Sequence, residues 1–205
     1  MNPVTQLRPR GDPAAEADEG CWARFKTDVA RYFQRAQAQG MGERLRVVAT
    51  NEALWAIAIH RFGRWLHHRA PPSVRWSLRL PFAAAQFATR LLVGVYLDPA
   101  ADIGGGLYIG HSGGIWVAPG AVIGRTCNIN HAVTIGVAGR ADRGVPRIGD
   151  RVWIGTKATL AGNIEVGSGA VISANSLVTS NVPENAVVIG VPARILGYFG
   201  SASLL

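Results

Sequence analysis

The sequence predicts a helical first half joined to a parallel β-helix. Three observations predict it. Glycine is uneven, with six residues before position 97 and nineteen of the 25 after it. Charge divides at the same place: residues 1–96 hold 14 Lys and Arg against 7 Asp and Glu, and the remainder holds 7 against 6. Aliphatic residues in the second half recur at a fixed step of six, which is neither a helical nor a simple alternating period. With 48% hydrophobic and 17% charged residues, the 205-residue chain can bury a core and is not a disordered polyelectrolyte.

Residues 1–19 are expected to form a flexible leader. Met1 to Gly20 is polar and rich in Pro, Asp and Glu, so no secretory signal is expected. The domain from 20 to 96 is expected to be helical. Trp22, Phe25, Val29, Tyr32 and Phe33 form one helical stripe between Gly20 and Ala38, which Gln39-Gly40-Met41-Gly42 breaks. Asn51 can cap a second helix through Trp55, Ile59, Phe62 and Leu66, ended by Pro71-Pro72. A third segment runs from about Ser73 to Val95, with a kink or restart at Pro81. Its apolar window, Leu80 to Leu97, is interrupted by Arg90 and is not expected to span a membrane. Arg64, Arg69, Arg75 and Arg79 with Trp65 and Trp76 flank it, which leaves peripheral contact with a membrane surface open.

The β-helix is expected over 97–196, with a tail at 197–205. One frame runs Ile103, Ile109, Ile115 and slips by two to Val117, Ile123, Ile129, Ile135. It resumes at Ile148, Ile154, Leu160, Val166, Ile172 and Val178. Three short strands, about 18 residues, would make one coil, each aliphatic stacking on its equivalent in the next. The position four after each aliphatic is small or apolar, from Ala121 and Cys127 to Ser176 and Val182. The step from Ile135 to Ile148 is long, so an extruded loop is expected within 137–147, carrying Arg140, Asp142, Arg143 and Arg147.

This repeat resembles the hexapeptide-repeat acyltransferases, above all serine acetyltransferases and related O-acetyltransferases of sugars and polysaccharides. The likeness covers about residues 53–196. His60-Arg61-Phe62-Gly63-Arg64-Trp65-Leu66 is similar to the helix before their β-helix. Gly106-Leu107-Tyr108-Ile109-Gly110-His111, ending in Gly113-Gly114-Ile115, resembles their catalytic segment, and Gly190-Val191-Pro192-Ala193-Arg194-Ile195 their closing signature. The resemblance implies a left-handed β-helix, a homotrimer, which the helical region could pair into a dimer of trimers, and acetyl-CoA bound between neighbouring β-helices.

Acyl transfer from a thioester to an alcohol needs a base for the hydroxyl proton, and a neutral imidazole serves near pH 7. His111, at the frame slip among small residues, is the candidate base. His131 follows by twenty residues, about one coil on, and is a candidate substrate contact with Gly110. The resemblance also matches Arg143 to a substrate-contacting Arg. For acetyl-CoA it favours Lys157 and Arg194 against phosphates, with backbone contacts near Gly136, Gly155 and Ala174. Arg147 and Arg151 are further basic candidates. Serine acetyltransferases carry an Asp immediately before the catalytic His and a second His before the Pro of the loop. Here Gly110 and Val145 stand there. These departures favour a sugar or polysaccharide hydroxyl over L-serine, the alternative acceptor.

Other readings are weaker. A γ-type carbonic anhydrase needs three converging histidines, and the expected β-helix holds only His111 and His131. A non-catalytic assembly module leaves the His111 motif unexplained. Of the formal charge of +8, +7 lies on the first half (14 against 7), without an aromatic–basic recognition motif, so no nucleic acid is expected. No metal is expected. Cys21 and Cys127 form no disulfide framework. The expected setting is cytoplasmic, with the inner membrane surface as a variant of it.

Overall fold

The computed structural model describes residues 20–139 and 144–205. The expected leader at 1–19, and Arg140, Asp142 and Arg143 of the loop, lie outside the described residues.

Among the described residues four α-helices come first: α1 (Cys21–Arg35), α2 (Met41–Thr50), α3 (Glu52–His68) and α4 (Pro72–Ala88). Asn51 caps α3, its Oδ1 accepting the Leu54 N–H at 3.3 Å. Three helical expectations are corrected. Gly42 does not extend a break but lies inside α2, where its helix penalty of about 1 kcal/mol is tolerated. Pro81 does not restart the third segment, because α4 runs through it. That segment also ends early: a π-helical turn, Thr89–Val93, leads to Gly94, and Val95–Leu97 is already a strand.

The second half is a solenoid of parallel strands with three faces. The first face stacks Val95–Leu97, Ile115–Val117, Thr134–Gly136, Thr159–Ala161 and Leu177–Val178. The second stacks Asp102–Ile103, Val122–Ile123, Arg147–Ile148 and Glu165–Val166. The third stacks Tyr108–Ile109, Asn128–Ile129, Trp153–Ile154, Val171–Ile172 and Val187–Ile189, closed by the antiparallel Arg194–Gly197. The arrangement is that of a left-handed β-helix. Every aliphatic in the expected frame is buried, and so are Ala121, Cys127, Val133, Val152, Ala158, Ile164, Ala170, Ser176 and Val182, each four positions after one of them. Each large aliphatic so buried contributes about 1.5–3 kcal/mol.

Register explains both breaks in the period. Val117 pairs with Ile135, and Leu160 with Val178, at the regular spacing of eighteen. Ile109 pairs with Ile129 at twenty, because two residues are added at the turn after Ile109. Ile135 pairs with Leu160 across the loop, with seven added.

The first coil has no preceding coil to hydrogen-bond its exposed carbonyls, and the helices fill that role. Arg61 donates to Ile103 O and, at 2.7 Å, to Gly104 O. Arg64 donates to Ala101 O at 2.7 Å, and Arg24 to Ile103 O at 3.1 Å. Tyr32 bridges Ile109, accepting from its N–H at 2.9 Å and donating to its carbonyl at 3.2 Å. This changes the face expected for α1. Arg24, Asp28 and Tyr32, one turn apart, are buried against the solenoid, and Trp22 is exposed.

Candidate active site

The turns from the third face to the first stack into one edge of the prism. Gly110–Gly114 forms its first turn. Asn130–Val133 lies above, then Gly155–Ala158, then Ser173–Ser176. Backbone bonds hold this column in register: Ala132 N donates to Gly113 O at 2.7 Å, Lys157 N to His131 O at 3.0 Å, and Asn175 N to Thr156 O at 2.8 Å. The corner residues Ala132, Lys157 and Asn175 all adopt left-handed φ near +58°. His111, His131, Lys157 and Ala174 therefore share one edge.

His111 sits in the lengthened first turn, exposed, and His131 directly above it is half-buried. Their rings meet edge to face with centroids 6.0 Å apart and planes at 75°. The turn is braced from two sides. Gly94, at φ +68°, lies against Gly113 and Gly114 so closely that a Cβ on it would come within 3.0 Å of both. Ser112 Oγ donates to Glu52 Oε1 at 2.6 Å, which ties the His111 turn to the start of α3. That hydrogen bond, foremost, holds the Glu52 carboxyl below its ordinary range, so a carboxylate stands beside the turn.

Gly110 has a structural counterpart in Asn130. A Cβ at 110 would approach Asn130 Oδ1 to 2.8 Å, and Asn130 is itself anchored by donating Nδ2 to Ile154 O at 3.0 Å. A neutral amide thus fills the space beside residue 110. Gly155 is a close-approach glycine: a Cβ there would lie 2.6 Å from Ala174 N.

Not every expected site residue joins this edge. Gly136 ends a first-face strand and begins the loop, which leaves the adjoining edge between the first and second faces. Val145 packs on the core, Pro146 is buried and Arg147 is in a strand. Arg143, the expected substrate contact, lies outside the described residues. Arg151 is exposed at a turn between the second and third faces, on another edge from His111. Arg194 is exposed in the closing strand, where Ala193 N donates to Leu177 O at 2.8 Å. Glu52 and Asn130 were not singled out from the sequence. Sixty residues separate Glu52 from Ser112, and no local pattern joins them.

Other polar and apolar features lie elsewhere. His60 is buried under the first coil, facing Ala101 O at 3.3 Å. Burial pushes the Cys127 thiol up to about 12, so it is an inert core group. A cavity of about 580 Å³ between α1 and α3 is lined by Trp22, Phe25, Phe62 and Trp65, with none of the His111 edge in its wall.

Comparison with known proteins agrees with this geometry. The bacterial transferase hexapeptide family (six repeats) matches residues 146–180. A serine acetyltransferase of Synechococcus elongatus is 31% identical over 176 residues, covering 84% of this chain and 68% of the relative. This chain belongs to the serine acetyltransferase family. A Mycobacterium tuberculosis serine acetyltransferase is 37% identical over 154 residues, 75% of this chain. The match takes in only 64% of that relative, so this family member spans under two thirds of its length. The solved structure of the Brucella abortus serine acetyltransferase in complex with coenzyme A superposes with a TM-score of 0.74 at 30% identity. It covers 92% of this chain and 72% of that one.

Proposed function

We propose that this family member is an O-acetyltransferase that moves the acetyl group of acetyl-CoA to an acceptor hydroxyl, with L-serine as the principal acceptor. The observation that carries the reading is the single edge on which His111 stands below His131, Lys157 and Ala174. It offers a base at one end and a basic, close-packed track at the other. The relatives named above are serine acetyltransferases, and they favour serine over the carbohydrate that the residues at 110 and 145 suggested.

In this reading His111, as a neutral imidazole, takes the proton of the acceptor hydroxyl while that oxygen attacks the thioester carbonyl. The tetrahedral intermediate collapses with departure of the CoA sulfur, and the protonated imidazole returns the proton to it. Lys157 and Arg194 meet the phosphates of CoA, and the backbone near Gly155 and Ala174 runs beside its pantetheine arm. The Glu52 carboxylate is the chain's own partner for the ammonium of an amino acid acceptor. The loop and Gly136 leave a different edge of the same prism. Joining both edges in one cleft calls for neighbouring copies, which supports a homotrimer.

One observation favours carbohydrate as a second reading. The neutral Asn130 fills the space beside Gly110, and Tyr96 and Trp116 stack on the first face at 4.3 Å, an aromatic surface of the kind that meets sugar rings. A thiol-release assay with acetyl-CoA against L-serine and a panel of sugars decides between them. CoA release on serine alone supports the first reading. Release on a sugar alone overturns it in favour of the second, and absence of both release and CoA binding overturns both.

A further inference from the structure

Helix α4 is apolar on two opposite sides, and only one is covered. Val74, Leu78 and Phe82 pack with Leu66 and Ala70 of the α3 region. On the outer side, Trp76, Leu80, Phe87 and Leu91 follow at steps of four, seven and four, a helical stripe that continues into the π turn with Leu92. These are among the most exposed large apolar side chains of the molecule: Trp76 is 83% exposed, Leu80 79% and Leu92 82%. The helix packs on α3 rather than on the solenoid, which leaves this side facing outward. An open apolar stripe of this extent marks an interaction surface.

Charge selects the occupant. Arg75, Arg79 and Arg90 are exposed along one flank of the stripe, with Arg69 just before the helix. The Arg90 guanidinium lies 5.5 Å from the Phe87 ring, at the margin of the apolar surface. From Ala53 to Leu97 the sequence contains no Asp or Glu. A second copy presenting the same side would set arginine against arginine. An anionic lipid surface accepts both the apolar stripe and the cations. Among the described residues no helix is long and apolar enough to cross a membrane, so contact would be in the plane of the interface.

We infer that the outer side of α4 docks this protein on an anionic lipid surface, with Trp76, Leu80, Phe87, Leu91 and Leu92 entering the interface and Arg75, Arg79 and Arg90 meeting lipid phosphates. The stripe ends at Leu92, two residues before the Gly94 that braces the His111 turn; docking is read from vesicle binding alone, so it stands or falls independently of acetyl transfer. The test is co-sedimentation of the full chain with phosphatidylcholine vesicles, with and without phosphatidylglycerol. Binding is expected only with phosphatidylglycerol and weakens as salt rises. The pair W76S/L80S should lose roughly tenfold or more of it, and R75Q/R79Q/R90Q should lose the preference for the anionic lipid. Both variants alter exposed side chains, and unchanged thermal melting checks their folding. The inference is overturned if the wild type ignores both vesicles or binds both equally. It is also overturned if W76S/L80S binds normally, including the case where light scattering shows its oligomeric mass altered, which would assign the stripe to contacts between copies.

Discussion

Asp28 and Arg61 form an ion pair closed to solvent: Arg61 Nε lies 2.9 Å from Asp28 Oδ2, and the side chains are 0% and 3% exposed. The same Asp28 accepts the Leu107 N–H at 2.8 Å, and the same Arg61 serves the Ile103 and Gly104 carbonyls. One pair therefore joins α1, α3 and the first coil. Removing one partner leaves the other charge buried. Asp28→Ala should cost about 3–5 kcal/mol, read from the urea midpoint. Asp28→Asn should cost less, since it keeps an acceptor for Leu107. A loss below about 1 kcal/mol for the alanine variant would contradict this role.

Two glycines should answer an added methyl in opposite ways. At Gly155 a Cβ would meet Ala174 N at 2.6 Å, so Gly155→Ala should cost about 1–3 kcal/mol. At Gly42, inside α2, nothing lies within 4 Å, so Gly42→Ala should stabilise by about 0.5–1 kcal/mol. Thermal melting of both variants checks the contrast, and equal responses would contradict the stacked-edge account.

His60 supplies a pH signature. Burial, aided by the nearby Arg61 and Arg64, pushes its imidazole down to about 3 from the ordinary 6.5. The unfolded chain then binds a proton between those values that the folded chain refuses. Stability from neutral His60 is fully present above about pH 6.5 and declines as pH falls toward 3, by up to about 1.4 kcal/mol per pH unit. His60→Phe should flatten this part of the profile of unfolding free energy against pH. An unchanged slope would remove His60 as its source.

The frame itself is open to test. Ile154 and Ile172 are fully buried and paired across neighbouring coils. Ile154→Asp or Ile172→Lys should abolish folding, by placing an unpaired charge in the core. Retention of a cooperative melt by circular dichroism would contradict that placement.

The solenoid was legible because its order is periodic. The same interior contact recurs every coil, so Ile123, Ile148, Val166 and their kin announce themselves. The position of His111 was legible for the related reason that a period shows its own interruptions. The helical contacts were not. Arg24 and Asp28 lie off the apolar stripe of α1, and their burial is forced by backbone groups 79 positions away, the Ile103 carbonyl for Arg24 and the Leu107 N–H for Asp28. Asn130 beside Gly110 is a pairing between turns, visible only once the coils are in register, and Glu52 beside Ser112 joins the start of α3 to a turn sixty residues on. Pro81 looked like a break, yet packing of Phe82 and Leu78 on α3 keeps the helix continuous around it. The identities at 110 and 145 point toward carbohydrate as acceptor, whereas the likeness to serine acetyltransferases over most of the chain supports the serine reading proposed above.

The most direct test of the account is turnover of acetyl-CoA with the accepting hydroxyl substrate by His111→Ala against the wild type, followed by thiol release. If His111 is the base, turnover should fall by about 10²–10⁴-fold while the melting temperature and CoA binding stay as they were. Unchanged turnover in a folded His111→Ala protein would contradict it.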